Sequence, residues 1–214
     1  MIPYGNQNIA QDDIDAVVAV LKSSHLTQGP TVREFEAALC DYTSAKYAQA
    51  MCNATAALHA ACLALDVTND DIVWTSPNTF VASANCARYC GAKIDFVDID
   101  SKTGNICINA LNEKLKQAKT QKELPKVLIP VHFAGQSCDM KRIWELSQRF
   151  GFKIIEDASH AIGGSYLNDK VGSCRYSDIT VFSFHPVKII TTAEGGVATT
   201  NDESLAERMA LFRS

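Results

Sequence analysis

The chain has 214 residues, of which 47% are hydrophobic and 21% charged, and its formal net charge at pH 7 is −4. This composition is typical of a soluble globular protein that is long enough for one large core. An acidic balance without a basic run argues against a nucleic-acid surface. The sequence shows no apolar leader and no apolar stretch of membrane-spanning length, so we expect a cytoplasmic protein without membrane or nucleic-acid partners.

Helical and strand patterns alternate along the chain. Apolar residues at helical spacing predict helices over 11–24, from Pro30 onward, and over 54–65, 83–89, 109–119 and 140–150. Short apolar runs predict strands over 46–51, 71–75, 93–97, 126–131, 153–156, 178–184 and 195–200. Seven strands, most of them separated by helices, predict an α/β domain with a largely parallel sheet and helices on both faces.

The last residues predict one more helix. Asp202 opens it, and the pattern runs to Ser214 without a glycine or proline stop signal. We therefore expect one large domain of a longer protein. The predicted division is an N-terminal arm over 1–12, a main domain over 13–201, and from 202 the start of a helix that leads to a missing C-terminal domain.

The eight cysteines contain no CxxC pair. Cys86 and Cys90 could share a helix face, but no second pair or nearby histidine completes a zinc site. We expect reduced, mostly buried thiols and no metal site.

Lys188 lies between the last two predicted strands, in Ser-Phe-His-Pro-Val-Lys-Ile-Ile-Thr-Thr-Ala-Glu-Gly-Gly. No aspartate stands nearby in sequence to pair with it, and an unpaired lysine between two strand ends is a candidate for Schiff-base chemistry. Taken alone, such a lysine is more often a solvated loop residue. The interpretation therefore depends on the other motifs.

Three other motifs fall at predicted strand or helix ends. Asp157 ends an apolar strand, where open α/β sheets bind ligands. It could instead cap a turn or hold magnesium, although no GxxxxGK[ST] phosphate loop accompanies it. Ala54 and Thr55 open a helix whose backbone N–H groups could bind a phosphate. Phe80 follows a strand end and by itself would be assigned to the core.

Pyridoxal phosphate (PLP) requires an amine, a carboxylate for its ring nitrogen, an apolar face and a phosphate-binding turn. Lys188, Asp157, Phe80 and the Ala54–Thr55 turn supply one of each. No GxGxxG fingerprint supports a nicotinamide cofactor instead.

Four segments in this order resemble the nucleotide-sugar aminotransferases, which are fold type I PLP enzymes. They are Asn-Ala-Thr-Ala-Ala-Leu, Pro-Asn-Thr-Phe-Val-Ala-Ser-Ala-Asn, Glu-Asp-Ala-Ser-His-Ala and the Lys188 segment. The resemblance covers essentially the whole chain and implies the PLP-binding large domain, with the small C-terminal domain absent. Ile2-Pro-Tyr-Gly and Leu26-Thr-Gln-Gly-Pro30 are most similar to the pseudaminic acid branch of the family. The implied activity is transfer of an amino group from L-glutamate to C4 of a UDP-linked 4-keto-6-deoxy sugar by a homodimer.

The same resemblance implies a role for each site residue. Lys188 would be the catalytic residue that bonds covalently to the cofactor, Asp157 would face the pyridine nitrogen, Phe80 would stack on the ring, and His160 would contact its hydroxyl side. The residues expected around the phosphate are Ala54, Thr55 and Ser183. The residues expected near the substrate are Tyr4, Ser24, His25, Leu26 and Thr27.

Other interpretations stay open. A catalytically silent domain of this fold could bind PLP as a sensor or scaffold, although Lys188 and Asp157 argue against it. A sugar dehydratase of the same family carries a histidine in place of the lysine, so Lys188 argues against that as well. An aminotransferase acting on another keto sugar is a further alternative. The resemblance also implies that the missing half and a partner subunit supply part of each site, so this chain alone could lack full activity.

Overall fold

The computed structural model describes residues 5–213, and the predicted substrate residue Tyr4 lies outside the described residues. The helices in this range are α1 (Gln11–Leu21), α2 (Pro30–Thr43), α3 (Ala54–Ala64), α4 (Ala82–Tyr89), α5 (Ile108–Gln121), α6 (Met140–Phe150) and α7 (Glu203–Arg213). The strands are β1 (Tyr47–Met51), β2 (Ile72–Thr75), β3 (Lys93–Phe96), β4 (Val127–Ile129), β5 (Lys153–Asp157), β6 (Ser165–Tyr166), β7 (Asp169–Lys170), β8 (Ile179–Ser183) and β9 (Gly196–Thr200). A short 3-10 turn covers Phe133–Gly135.

Seven of these strands form one sheet in the order β1-β9-β8-β5-β4-β2-β3. Strand β9 is antiparallel to both neighbours, and the other six strands share one direction. The predicted seven-stranded, largely parallel α/β sheet is therefore confirmed. The separate β6–β7 hairpin was not predicted. Because six strands run the same way, their carboxyl ends meet at one edge of the sheet.

Helices cover both faces of the sheet, as predicted. Alternate residues of β5 show the two faces: Ile155 packs in a core with α3, α4 and α7, and Ile154 packs in a second core with α5 and α6. A third cluster joins α2 to the sheet through Phe182 and Phe184. This alternation places Asp157 on the α3–α4 side and Glu156 on the α5–α6 side.

The two ends of the described chain differ in how they pack. Helix α1 begins at Gln11, within the residues predicted as an arm, and none of its residues is buried. Helix α7 packs on α3 and buries Leu205 and Met209 in the same core as the sheet. Residues 203–213 therefore belong to the packed domain.

Within residues 5–213 no helix is both long enough and apolar enough to cross a lipid bilayer. The eight cysteines are free thiols, and half of them are buried. The buried ones are Cys62, Cys86, Cys138 and Cys174. The prediction of mostly buried thiols therefore overstated their burial.

Candidate active site

The sheet register brings the predicted cofactor residues to one edge. Asp157 ends β5 and pairs with Val181 of the neighbouring β8. Ser183 ends β8 and pairs with Gly196 of β9, and Gly196 also pairs with Met51 at the end of β1. Helix α3 starts three residues after Met51, so its first turn lies beside these strand ends.

The start of α3 has the form of an anion site. Asn53 caps the helix, because its Oδ1 accepts a hydrogen bond from the Ala56 N–H at 2.9 Å. Gly196 lies so close that a Cβ atom there would overlap Ala54 N and the Asn53 carbonyl carbon. The first backbone N–H groups and the helix dipole favour a negative group at this end. A phosphate site formed by Ala54, Thr55 and Ser183 stays a prediction that this packing favours.

Lys188 lies on the connection between β8 and β9. Its Nζ atom is 2.7 Å from Nε2 of His160. The backbone around it is held at both ends, since Lys188 N–H donates to His185 O at 2.8 Å and Thr192 N–H donates to Phe184 O at 3.0 Å. Burial lowers the pKa of Lys188, although the charge of Asp157 partly opposes this. A lowered pKa increases the fraction of neutral amine, which is the nucleophilic form.

His160 is the polar neighbour of that amine. Burial and the charge of Lys188 lower the pKa of His160, and Asp157 opposes them. The ring is therefore favoured in its neutral form, which can accept a proton from the lysine or share one with it. The sequence identified His160 but not its contact with Lys188.

Asp157 is buried and its carboxylate is held in place by two serines. Ser83 Oγ donates to Oδ2 at 2.6 Å, and the Ser159 hydroxyl donates to Oδ1 at 2.6 Å. Thr79 Oγ1 lies 2.7 Å from Ser83 Oγ and extends the network. Oδ1 also accepts the Ser159 N–H at 3.2 Å. A carboxylate has about four lone-pair sites, so the acceptor capacity that remains toward a ring nitrogen lies on Oδ2. Ser83 and Ser159 were not predicted, although both stand in the motifs that located Phe80 and Asp157.

Phe80 lies just before α4, and 72% of it is exposed. Assignment to the core, which its sequence position alone suggested, is therefore wrong. An aromatic ring with this much free surface is available to stack on a flat ligand. Its stacking role stays a prediction.

The predicted substrate segment is a surface loop. All of residues 24–27 are exposed, and Ser24 Oγ contacts His25 Nδ1 at 3.0 Å. Among residues 5–213, no hydrogen bond joins this segment to Lys188 or Asp157. Substrate binding by Ser24, His25, Leu26 and Thr27 stays a prediction.

Comparison with known proteins places this site in a family. The transaminase of UDP-4-amino-4,6-dideoxy-N-acetyl-β-L-altrosamine from Campylobacter jejuni is 44% identical over 216 residues, covering 100% of this chain and 55% of that protein. The spore coat polysaccharide biosynthesis protein SpsC of Bacillus subtilis is 40% identical over 211 residues, covering 99% of this chain and 52% of that protein. The chain thus spans about half the length of the curated relatives it matches.

Solved structures agree with this chain in fold. PseC of Helicobacter pylori, an aminotransferase involved in the biosynthesis of pseudaminic acid, superposes with a TM-score of 0.89 at 36% identity, covering 99% of this chain and 55% of that one. NtdA from Bacillus subtilis, with bound cofactor PMP, superposes with a TM-score of 0.80 at 29% identity, covering 94% and 45%. The family model of the DegT/DnrJ/EryC1/StrS aminotransferases matches residues 7–214. The α/β fold is that of the PLP-dependent aminotransferases, and the chain belongs to the DegT/DnrJ/EryC1/StrS aminotransferase family.

Proposed function

We propose that this chain carries the PLP-binding domain, over residues 13–201 and with α7 packed against it, of a nucleotide-sugar aminotransferase. The observation that carries the proposal is the Lys188–His160 contact of 2.7 Å at the sheet edge that also presents Asp157. A solved structure to which this chain is similar, NtdA of Bacillus subtilis, holds PMP, the amino form of PLP. When bound, this cofactor takes an amino group from a donor and passes it to a carbonyl carbon.

Each residue then has a defined task. Lys188 would bond covalently to the cofactor and, once freed, would move a proton at the reacting carbon. Asp157, held by Ser83, would keep the ring nitrogen protonated, because an adjacent carboxylate favours the charged ring by roughly one to three pKa units. Phe80 would stack on the ring, and His160 would contact its hydroxyl side while orienting the lysine.

The phosphate would lie between the start of α3 and the end of β8. The residues proposed to hold it are Ala54, Thr55 and Ser183. The anion would there meet backbone N–H groups at a helix N-terminus, which is a common phosphate site.

The proposed reaction is transfer of the amino group of L-glutamate to C4 of a UDP-linked 4-keto-6-deoxy sugar. The Campylobacter jejuni relative is named for a 4-amino sugar linked to UDP, and this supports the choice of C4 and of UDP. The exposed segment 24–27 and Tyr4 are proposed to contact the substrate. We also propose a cytoplasmic homodimer. The exposed apolar side chains Ile14, Val17 and Leu21 of α1, with Ile189 beside the lysine, favour a partner surface.

The test measures amino transfer by the full-length protein, with glutamate as donor and a panel of UDP- and dTDP-linked 3-keto and 4-keto sugars as acceptors. We expect turnover of the UDP-linked 4-keto sugar, and borohydride reduction should fix PLP on Lys188 in a peptide map. Lys188→Ala should lose both the label and the activity. Lys141→Ala, a change at an exposed lysine on α6, is the matched control and should lose neither.

Label on another lysine would refute the assignment of Lys188. Preferred turnover of a 3-keto or dTDP-linked sugar would leave the class of enzyme standing but refute the proposed substrate. Cofactor binding without any amino transfer would favour the sensor or scaffold interpretation.

A further inference from the structure

A histidine and a glutamate form a buried pair behind the strand end that carries Asp157. His132 Nε2 lies 2.8 Å from Glu156 Oε2, and their side chains are 0% and 7% exposed. The other Glu156 oxygen accepts hydrogen bonds from Ser177 and, at 2.9 Å, from Thr180. The proposed chemistry does not use this pair, because Glu156 points to the opposite face of β5 from Asp157.

The hydrogen bonds define the charge state of the pair. Burial raises the pKa of Glu156, but the bonds from His132, Ser177 and Thr180 outweigh it and hold this pKa below its usual range. Burial lowers the pKa of His132, and its contacts with Cys138 and Glu156 raise it by more. The Cys138 N–H nevertheless donates to His132 Nδ1 at 3.2 Å, and only an unprotonated Nδ1 can accept it. We therefore assign a neutral ring whose Nε2 proton is donated to an ionised Glu156.

Backbone hydrogen bonds between the segment after β4 and the end of β5 hold Asp157. His132 N–H donates to the Asp157 carbonyl at 3.0 Å, and Asp157 N–H donates to the Pro130 carbonyl at 2.9 Å. The side-chain bond between His132 and Glu156 thus fastens the segment after β4 to the end of β5 beside these two backbone bonds. Movement at His132 would pass directly to the peptide that carries Asp157.

His132 also fixes the loop that follows it, residues 132–138. Its ring accepts from Cys138 at the far end of the loop. Asn105, which is buried, holds the middle: its Oδ1 accepts from Phe133 N–H at 2.9 Å and its Nδ2 donates to Gln136 O at 3.0 Å. The 132–138 loop is therefore fixed from both sides by buried polar side chains.

This loop lies directly against the residue that contacts the lysine. Gly135 has a positive φ of 88°, and a Cβ atom there would lie 2.6 Å from the carbonyl oxygen of His160. His160 in turn is the hydrogen-bond partner of Lys188. A continuous set of contacts thus leads from the buried pair, through Gly135, to the amine at the sheet edge.

We propose that His132 and Glu156 are positioning residues of the cofactor site, which hold Asp157 and His160 in place relative to Lys188. The inference rests on the proposed function, since these three side chains matter together only when PLP is bound between them. His132 and Glu156 touch neither cofactor nor substrate in this role. Their effect is geometric and passes through β5 and the 132–138 loop.

The experiment compares two substitutions at one position. His132→Asn keeps an acceptor near the place of Nδ1 for Cys138 but is too short to reach Glu156. His132→Gln is long enough for its amide N–H to donate to Glu156. The control is Ser147→Ala, which removes a buried hydroxyl that donates to Trp144 O at 2.8 Å on α6, away from the sheet edge.

Each protein is stripped of cofactor, titrated with PLP, and scanned for the absorption band of the Lys188-bound cofactor. We expect His132→Asn to raise the Kd for PLP about tenfold and to shift that band, because a buried carboxylate loses its donor. We also expect kcat to fall with little change in KM for glutamate. His132→Gln should recover most of the affinity for PLP and the original absorption band. Ser147→Ala should lower Tm about as much as His132→Asn does, but it should leave the affinity and the band unchanged.

Wild-type affinity and spectrum in His132→Asn, or a His132→Gln variant no better than His132→Asn, would overturn the proposal. If His132→Asn does not fold, Glu156→Asp gives the same comparison, because its carboxylate is one carbon too short to meet His132. Failure of the wild-type protein to bind PLP at Lys188 would refute the proposed function itself. Normal binding by every variant would refute only the positioning role.

Discussion

Lys188 and His160 are held 2.7 Å apart, and burial is the largest cause of the lowered pKa of each. Two cations at this separation would repel each other strongly in a partly buried site. The pair is therefore stable only when at least one member is neutral. In the proposed function, this arrangement would keep the amine ready to react and would lower the stability of the cofactor-free protein.

Replacing Lys188 by methionine should therefore stabilise the cofactor-free protein. The folded-state pKa of Lys188 is lowered, so the unfolded chain binds more protons at pH values between that pKa and the usual lysine value. The loss of folding stability caused by charged Lys188 is complete below the folded-state pKa, and it disappears as the pH rises to about 10.5. We expect Lys188→Met to raise Tm at pH 7 by about 1–3 °C, and calorimetry from pH 7 to 10 should show the gain shrinking.

The matched control is Lys141→Met, which changes an exposed lysine on α6. It should show no gain that depends on pH in this window. An equal gain in both variants, or a gain at Lys188 that grows toward pH 10, would contradict the argument.

The sequence singled out candidate site residues but not the contacts between them. Lys188, Asp157 and His160 became candidates because each stands in a recognisable motif at a strand end. The contacts were not predicted: Ser83 lies 74 positions from the aspartate that it holds, and His160 lies 28 positions from the lysine that it contacts. Such contacts depend on the order of the strands in the sheet, and the pattern of apolar residues leaves several orders possible.

At the scale of helices and strands, apolar periodicity was a good guide. The predicted strand over 153–156 and helix over 140–150 agree with β5 and α6 to within one residue. The β6–β7 hairpin was missed because strands of two residues carry no alternation to detect. The reversed direction of β9 was not predicted either, since only the sheet shows that the connection carrying Lys188 turns back to an adjacent strand.

Gly196, the first residue of β9, lies where a strand and a helix approach each other too closely for a side chain. An added Cβ atom would overlap Ala54 N and the carbonyl carbon of Asn53. The strand and the start of α3 would have to separate, and we expect Gly196→Ala to lower the free energy of unfolding by about 1–3 kcal/mol. The same separation should weaken PLP binding, which a cofactor titration beside a urea unfolding curve would measure.

Gly151 lies at the end of α6, and Gly151→Ala is a control that should lose about as much stability as Gly196→Ala. Its φ is +82° and an added Cβ would meet nothing within 4 Å, so Gly151→Ala should lower stability by roughly 1–2 kcal/mol through backbone strain alone. Cofactor affinity should then be normal. Equal losses of PLP affinity in the two variants would show that the close approach of β9 to α3 is not what matters.

At the scale of the whole molecule, α7 shares a hydrophobic core with the sheet, and we expect the two to unfold together. Met209 is fully buried against α3, and Leu211 on the same helix is 77% exposed. We expect Met209→Ala to lower the free energy of unfolding of the entire domain by about 2–5 kcal/mol in one transition. Leu211→Ala should change it by less than about 0.5 kcal/mol.

Circular dichroism and tryptophan fluorescence should report the same midpoint for Met209→Ala. A separate early transition in the helical signal, with the fluorescence midpoint unchanged, would show instead that α7 melts as an independent segment.

The position of β9 has a consequence for how the chain is made. The ribosome releases β1 long before β9, yet β1 forms its strand pairing with β9, where Tyr47 lies opposite Thr200. Until then β1 has no neighbour on that side, and pairing between such distant segments forms slowly. The start of α3 meets Gly196 only when this last strand enters the sheet. In the nascent chain the proposed phosphate site is therefore incomplete, and if PLP binds there, its capture would mark a domain that has finished folding.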